Sequence, residues 1–176
     1  MPLDLGLATM AALLPTANSV HDAPAPGRVE GAPMEALDPL VFGAGQPCFG
    51  CAQDHPIGFR LRFFKDEDSI LTTFTPGPQF QGPPGVMHGG LVTTLADEVA
   101  AWTVLGLTGK FGFTAKLSAK LKKPVKIDEE VLARGRTTRV TSRIVEVHVT
   151  LQQSDVQAFE GDFTFALLDK AAAEKL

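Results

Sequence analysis

Residues 85–102, GVMHGGLVTTLADEVAAW, place one histidine, two glycines and two adjacent carboxylates in a segment with helical periodicity. The predicted helix runs from about Gly90 to Leu105 and is apolar on nearly every side. A charge on a buried helix is costly unless it is paired or takes part in chemistry. Asp97 and Glu98 are therefore the first candidates for catalytic groups.

Gly89 and Gly90 stand at the start of this helix, where the first turn offers backbone N–H groups without intrahelical acceptors and the positive end of the helix dipole. Because glycine has no Cβ atom, a ligand can approach the backbone closely. The pair predicts a site for a developing oxyanion, an interaction often worth about 3–4 kcal/mol. An ordinary turn before a helix has the same composition, and this alternative stays open.

Asp97 lies seven residues after Gly90, and with Thr94 and Ala101 it forms a stripe of small or polar residues on one helix face. Small neighbours leave room for substrate beside the carboxylate, so we predict that Asp97 acts as nucleophile or general base. Glu98 is rotated by about 100° around the helix. We expect Glu98 to pair with a basic residue or to reach solvent.

The distance between Gly89 and Asp97 has a consequence for assembly. Eight residues of helix separate the two by about 12 Å. One carbonyl carbon cannot contact both groups. If both act on one substrate, they come from two copies whose helices lie antiparallel across a two-fold axis. The spacing thus predicts an obligate dimer with two equivalent sites.

The elements around the helix show the period-two alternation of strands. Residues 59–63 and 70–74 alternate on either side of the turn-forming segment KDEDS, and four strand patterns follow the helix, which is predicted to end near Gly106. The first of these patterns places on one face Phe111, Phe113, Ala115, Leu117, Ala119 and Leu121. A helix that is apolar on most sides must be wrapped, so we predict an α+β fold in which one curved antiparallel sheet surrounds one long central helix.

The sequence pattern predicts an N-terminal extension, residues 1–40, and a single domain, residues 41–176. Residues 1–20 have a helical pattern without the positive n-region of a secretory signal, residues 21–33 are rich in Pro and Gly, and residues 34–42 predict a further helical turn. No apolar run reaches the roughly 18 residues that span a bilayer, and we expect no membrane association. Two cysteines cannot form a disulfide framework, so the expected location is the cytoplasm.

The net charge of −4 conceals a basic segment, because residues 110–143 hold ten of the sixteen Lys and Arg residues and only three acidic ones. Such clustering indicates either an anionic partner or a solvated sheet face. Nucleic acid is not the expected partner, because aromatic residues for base stacking do not alternate with these charges.

Cys48 and Cys51 form a C-x-x-C motif, with His55 four residues later. A structural zinc site needs four ligands, and no second pair is evident. We therefore predict a packed turn and no metal; a zinc site and a redox pair are the alternatives.

At HGGLVTTLAD the sequence resembles the hotdog-fold acyl-CoA thioesterases, and in particular the branch named for phenylacetate degradation. The lead-in PGVMHGG and the strand GFTAKLSAKLKKPVK add to the resemblance, which covers about residues 48–168. It implies hydrolysis of an acyl- or arylacyl-CoA to the carboxylic acid and free CoA. It also implies coenzyme A as part of the substrate, without a separate cofactor. For the homodimer predicted from the helix spacing, a dimer of dimers is the expected assembly, and the choice between dimer and tetramer stays open.

The same resemblance implies roles for single residues. The oxyanion-hole amide corresponds to Gly89, and the acid that activates water or attacks the thioester corresponds to Asp97. Thr114 would position the water or the acid. His88 would be structural or would polarise the thioester.

At other positions this sequence corresponds less directly to the family pattern. Some members carry Asn six residues before the histidine; here Gly82 stands at that position, and the neighbouring Gln81 is the candidate for the amide hydrogen bond. Gly90 and basic side chains would contact the CoA portion and its phosphates. The basic candidates are Lys120, Lys122, Lys123 and Arg136.

Two other functions stay open at this stage. A hotdog-fold dehydratase or hydratase would carry a histidine on the loop before the helix, where this chain has Phe80 and Gln81. A non-catalytic acyl-CoA-binding module would not need Asp97.

Overall fold

A computed structural model describes residues 34–168. The predicted helix over residues 1–20 and the linker over 21–33 lie outside the described residues. The boundary between extension and domain at residue 41 stays a prediction.

The described part of the chain contains seven strands, one long α-helix and a short 3-10 helix at Pro78–Phe80. The strands are β1 (Glu35–Ala36), β2 (Phe64–Asp66), β3 (Ser69–Phe74), β4 (Gly112–Leu121), β5 (Val131–Val140), β6 (Ile144–Gln153) and β7 (Val156–Leu167), and the helix is α1 (Gly89–Thr108). They form one sheet in the order β1-β2-β3-β5-β6-β7-β4, and every neighbouring pair is antiparallel. The predicted α+β fold, with one curved sheet around one helix, is confirmed.

Helix α1 is the centre of the core. It contacts β3, β4, β5, β6 and β7, and its fully buried side chains include Leu95, Ala96, Val99 and Ala100. By length and composition α1 is long and apolar enough to cross a membrane, although the sequence predicts no apolar run of that length. Burial of these side chains against the sheet accounts for that composition, because a wrapped core helix needs apolar residues on most sides.

The end of α1 differs from the prediction. The helix continues through Gly106 and ends at Thr108, and the C-cap residue Gly109 has a φ of 65°, the left-handed conformation that favours glycine. At Gly106 a Cβ atom would lie 2.8 Å from Ile70 Cδ1 and 2.9 Å from Leu37 Cδ1. Gly106 therefore serves close packing of the helix against its surroundings and not termination.

The segments before β2 also depart from the prediction. Residues 59–63 are not a strand, although Phe59, Leu61 and Phe63 are buried as their alternation predicts. Residues 34–42 contain no helical turn; they form β1 and turns instead. Pairing of Glu35 and Ala36 with β2 outweighs the local helical preference of this short segment.

Strand β4 lies at one edge of the sheet, and its alternation is interrupted by a register shift between Thr114 and Lys116. The prediction that one face of the strand carries every apolar residue is therefore wrong, because a bulge reverses the alternation. Thr114 pairs with the buried Phe165 and so faces α1. Three apolar side chains of this strand are about half exposed: Phe113 (53%), Leu117 (45%) and Leu121 (53%).

Candidate active site

The middle of α1 meets β4 at a carboxylate–hydroxyl pair. Thr114 Oγ1 donates a 2.7 Å hydrogen bond to Asp97 Oδ1. Burial raises the pKa of Asp97, and the hydrogen bond from Thr114 opposes part of that increase. The helix and the bulged strand thus bring together two of the predicted site residues that are 17 positions apart in sequence.

Asp97 and Thr114 line a cavity of about 340 Å³. Most of its wall is apolar, and aromatic rings come from Phe42, Trp102, Phe111, Phe113 and Phe165. Asp97 and Glu98 are the acidic residues of the wall, and no Lys, Arg or His from the described residues lines it. An apolar cavity with a few convergent polar groups is the usual form of a small-molecule site.

The start of α1 is capped by His88. Its Nδ1 accepts from Gly90 N at 3.0 Å, and its carbonyl oxygen accepts from Leu91 N and Val92 N. Among the described residues, no acceptor lies within hydrogen-bond reach of Gly89 N. The cap therefore leaves the Gly89 amide as the open donor of the first turn, and it occupies the Gly90 amide that we expected to contact CoA.

Neither Gly89 nor His88 lines the cavity that holds Asp97. This agrees with the separation expected along one helix, about 12 Å for eight residues. A Cβ atom on Gly89 would lie 3.0 Å from Leu121 Cδ2, so the open amide lies beside the exposed edge strand β4. Within one chain, the predicted amide donor and the predicted acid occupy different places.

Gln81 lies in the loop before the helix. Its Oε1 accepts from Gly85 N at 2.8 Å, and its backbone bridges to Met87. The side-chain oxygen therefore holds the loop that delivers His88 to the helix start. The amide hydrogen bond to substrate that we predict for Gln81 stays a prediction.

The environment of Glu98 differs from the prediction, because its side chain neither pairs with a basic residue nor extends into solvent. Its Oε1 lies 3.3 Å from Cys48 Sγ. A Cβ atom on Gly50 would lie 2.2 Å from both Cγ and Cδ of Glu98, so the C-x-x-C turn packs directly on this carboxylate. Burial, together with the negative charge of Cys48, raises the pKa of Glu98 to about 8.

The thiols of Cys48 and Cys51 interact with each other and change each other's pKa. A hydrogen bond from the Cys51 thiol lowers the pKa of Cys48 to about 5, and the same bond raises the pKa of Cys51. Both thiols are free, and both line the cavity with Glu98. Sequence reasoning missed this grouping because Glu98 is 50 residues from Cys48.

The four basic candidates for the CoA phosphates do not form one cluster. Lys120 and Lys122 both form ion pairs with Glu160, at 3.3 and 2.6 Å. Arg136 lies on β5, with β6 and β7 between it and β4, and it faces Asp68 at 3.5 Å. Only Lys123, among these four, has a side chain without an ion-pair partner in the described part of the chain.

Comparisons with known proteins find similarity to thioesterases. The model of the thioesterase superfamily matches residues 84–159. Acyl-coenzyme A thioesterase THEM4 of Rattus norvegicus is 29% identical over 121 residues, which cover 68% of this chain and 51% of that protein. The same thioesterase of Xenopus laevis is 29% identical over 101 residues, 56% of this chain and 45% of that protein. The chain thus spans about half the length of the curated relatives it matches.

Solved structures show the same fold. A hypothetical thioesterase of Streptococcus pneumoniae TIGR4, crystallised with coenzyme A, has a TM-score of 0.57 at 20% identity over 61% of this chain and 87% of that one. Zebra fish thioesterase superfamily member 2 has a TM-score of 0.59 at 18% identity over 66% of this chain and 90% of that one. The family model and the curated relatives thus show that residues 84–159 and their surroundings are similar to thioesterases, and the solved structures share the fold.

Proposed function

We propose that this chain hydrolyses an acyl-CoA or arylacyl-CoA thioester to the carboxylic acid and free CoA. The observation that carries the proposal is the Asp97–Thr114 hydrogen bond at the wall of an apolar cavity. Relatives named acyl-coenzyme A thioesterase support it. The hypothetical thioesterase of Streptococcus pneumoniae that was crystallised with coenzyme A also supports the proposal.

In this reaction the acyl group occupies the aromatic-walled cavity and presents its carbonyl carbon to Asp97. Thr114 donates to Oδ1, which orients the carboxylate and leaves Oδ2 for chemistry. As a general base, Asp97 takes a proton from water while the hydroxide adds to the carbonyl carbon. The C–S bond then breaks, and the proton passes to the CoA thiolate. As a nucleophile, Asp97 would form a mixed anhydride that water hydrolyses; both routes use the same geometry.

The oxyanion donor of each site comes from a second copy of the chain in this proposal. Gly89 N is the open amide of the helix start, yet Gly89 does not line the cavity of its own Asp97. The half-exposed Leu117 and Leu121 lie on the unpaired edge strand, and such an edge with apolar side chains favours association. A two-fold dimer through this edge would bring each Gly89 to the partner's Asp97. Pairing of dimers into tetramers stays a prediction.

Recognition of the CoA phosphates is assigned to the end of β4 and the loop after it. Lys123 has no ion-pair partner among residues 34–168, and Lys120 and Lys122 would have to leave Glu160 to take part. Arg136 lies too far across the sheet to join them in one chain. The expected cytoplasmic location is part of this proposal, since coenzyme A thioesters are its substrates.

The experiment is CoA release from a panel of aliphatic and aromatic acyl-CoAs, followed with a thiol reagent, for wild type and Asp97→Asn. Asp155→Asn is the matched control, because Asp155 lies in the β6–β7 turn with a φ of 63° that Asn also adopts. We expect release by wild type and by the control, and loss in Asp97→Asn.

Other outcomes separate the competing functions. Binding of acyl-CoA without release by wild type would contradict hydrolysis and identify a binding module. Hydration of a trans-2-enoyl thioester without CoA release would identify a hydratase. Full release by Asp97→Asn would overturn the role of the acid while leaving a thioesterase.

A further inference from the structure

We propose that Cys48, Cys51 and Glu98 form a binding site for a thiophilic divalent cation, with Zn²⁺ as the reference ion. Each residue offers one ligand atom, and the three atoms lie within 4.8 Å of one another. Zn–S and Zn–O bonds of about 2.0–2.3 Å in a tetrahedron place ligand atoms roughly 3.3–3.8 Å apart. The Cys48–Glu98 distance of 3.3 Å already meets this requirement, and Cys51 Sγ lies within 4.8 Å of both other ligand atoms.

The backbone around the cysteines is well anchored, which a metal site requires. Ala52 N donates to Cys48 O, closing the turn, while Phe59 N donates to Phe49 O and Leu61 N donates to Gly50 O. The turn therefore presents both sulfurs from a segment tied to the next stretch of chain. A Cβ atom on Gly50 would overlap Cγ and Cδ of Glu98, so glycine at this position lets the turn pack directly on the carboxylate side chain.

Hydrogen bonds to the ligands complete the surroundings of the site. The Gln46 side chain accepts from Cys48 N at 3.0 Å, and its Nε2 donates to Cys51 Sγ at 3.5 Å. N–H groups directed at cysteine sulfur are the kind of outer contact that orients metal ligands. His55 does not belong to this group of converging ligand atoms, and its Nδ1 accepts from Ile57 N within its own loop.

Charge favours a cation at this position. Two thiols and a carboxylate, all able to ionise, converge on a largely apolar wall, and no basic side chain from the described residues lines the cavity to balance them. A bound divalent cation supplies that balance. The two sulfurs select a soft ion such as Zn²⁺ over Mg²⁺ or Ca²⁺, which prefer oxygen ligands alone.

Three protein ligands leave a tetrahedral ion with one open position. The ligands share their cavity with Asp97, so that position would face the space that we assign to substrate. The metal site is argued from the cysteines and Glu98 alone, and it does not depend on thioester hydrolysis.

The test is a Co²⁺ titration of the reduced protein after removal of bound metal with a chelator, with circular dichroism to verify folding. We expect one Co²⁺ per chain, near-ultraviolet absorption from thiolate–cobalt bonds, visible bands of tetrahedral cobalt, and displacement by one equivalent of Zn²⁺. Folded, reduced protein that binds neither ion, or that binds without thiolate absorption, would overturn the proposal.

Variants then assign the ligands. Cys48→Ser and Cys51→Ser are each expected to lose most of the thiolate absorption, and Glu98→Gln to bind Zn²⁺ at least roughly tenfold more weakly. Glu146→Gln is the matched control for the glutamate, because Glu146 lies on β6 outside this cavity beside Arg139. If both serine variants bind Co²⁺ like wild type, the cysteines are not ligands and the proposal is wrong.

Discussion

The Thr114 hydroxyl on the bulged edge strand donates to Oδ1 of Asp97 in the middle of the core helix, at 2.7 Å. The bulge between Thr114 and Lys116 turns this hydroxyl toward α1, where regular alternation would turn it away. A local irregularity of the sheet therefore positions the proposed acid.

Replacing Thr114 tests this positioning. A hydrogen bond to a charged group is worth about 1.5–3 kcal/mol, so Thr114→Val should lower kcat for the best acyl-CoA by about 10- to 100-fold. Thr114→Ser keeps the hydroxyl and should retain most of the activity. Equal activity of the valine and serine variants would show that the hydrogen bond is not used.

The amide at the helix start can be removed without removing the helix. Gly89 is the first residue of α1, a position that accepts proline, and His88 has the extended ψ of 128° that a residue before proline needs. Gly89→Pro deletes the proposed oxyanion donor and should lower kcat by roughly 10²- to 10³-fold. Thermal unfolding should remain cooperative, which separates loss of the donor from loss of the fold.

Mixing two inactive variants tests whether the site is shared between copies. In a heterodimer of Asp97→Asn and Gly89→Pro, one of the two composite sites has both native groups. After subunit exchange, an equimolar mixture should regain about a quarter of wild-type activity, because half of the dimers are mixed and each has one intact site. A mixture that stays inactive despite proven exchange would place donor and acid in one chain.

The exposed edge strand β4 leads to a prediction about assembly. Leu117→Lys places a charge on the proposed dimer contact and should shift the protein toward a monomer with greatly reduced activity, measured by light scattering during size-exclusion chromatography. Val140→Lys is the control, because Val140 is similarly exposed, at 50%, on β5, three strands away. A wild-type protein that is already monomeric at assay concentration would contradict the shared site.

The close contact between Gly50 and Glu98 predicts a coupled stability change. Gly50→Ala places a methyl group where Glu98 now lies, and such overpacking typically costs about 1–3 kcal/mol of unfolding free energy. In a Glu98→Ala background the methyl group has space, so the same change should cost much less. Chemical denaturation of the four proteins measures the coupling, and additive effects would show that the contact is not tight.

The ion pairs of Glu160 predict a pH effect. Hydrogen bonds from Lys122 and Lys120 lower the pKa of Glu160 below its usual value. The stabilisation is therefore present above the unfolded-state pKa and is lost as the pH falls through the lower folded-state pKa. NMR titration of the Glu160 carboxyl should show a higher pKa in Lys122→Met than in wild type, and an unchanged pKa would mean that the pair is not formed in solution.

Much of this arrangement could be predicted from the sequence, because it depends on local pattern. Alternation predicted most of the sheet, and helical spacing predicted that Gly89 and Asp97 lie apart. The Cys48–Glu98 contact could not be predicted, because it joins a turn and a helix that are distant in sequence. The bulge at β4 could not be predicted either, since no residue type between Thr114 and Lys116 marks it. The predicted helix end near Gly106 was wrong because close packing and helix termination both favour glycine.

The cap at the start of α1 also decides what the histidine can do. Nδ1 of His88 accepts the Gly90 amide proton, so the neutral imidazole carries its own proton on Nε2. The free edge of the ring is then a donor and has no lone pair to offer to water. While this cap is formed, His88 can polarise an oxygen atom through Nε2–H, but proton abstraction must fall to another group.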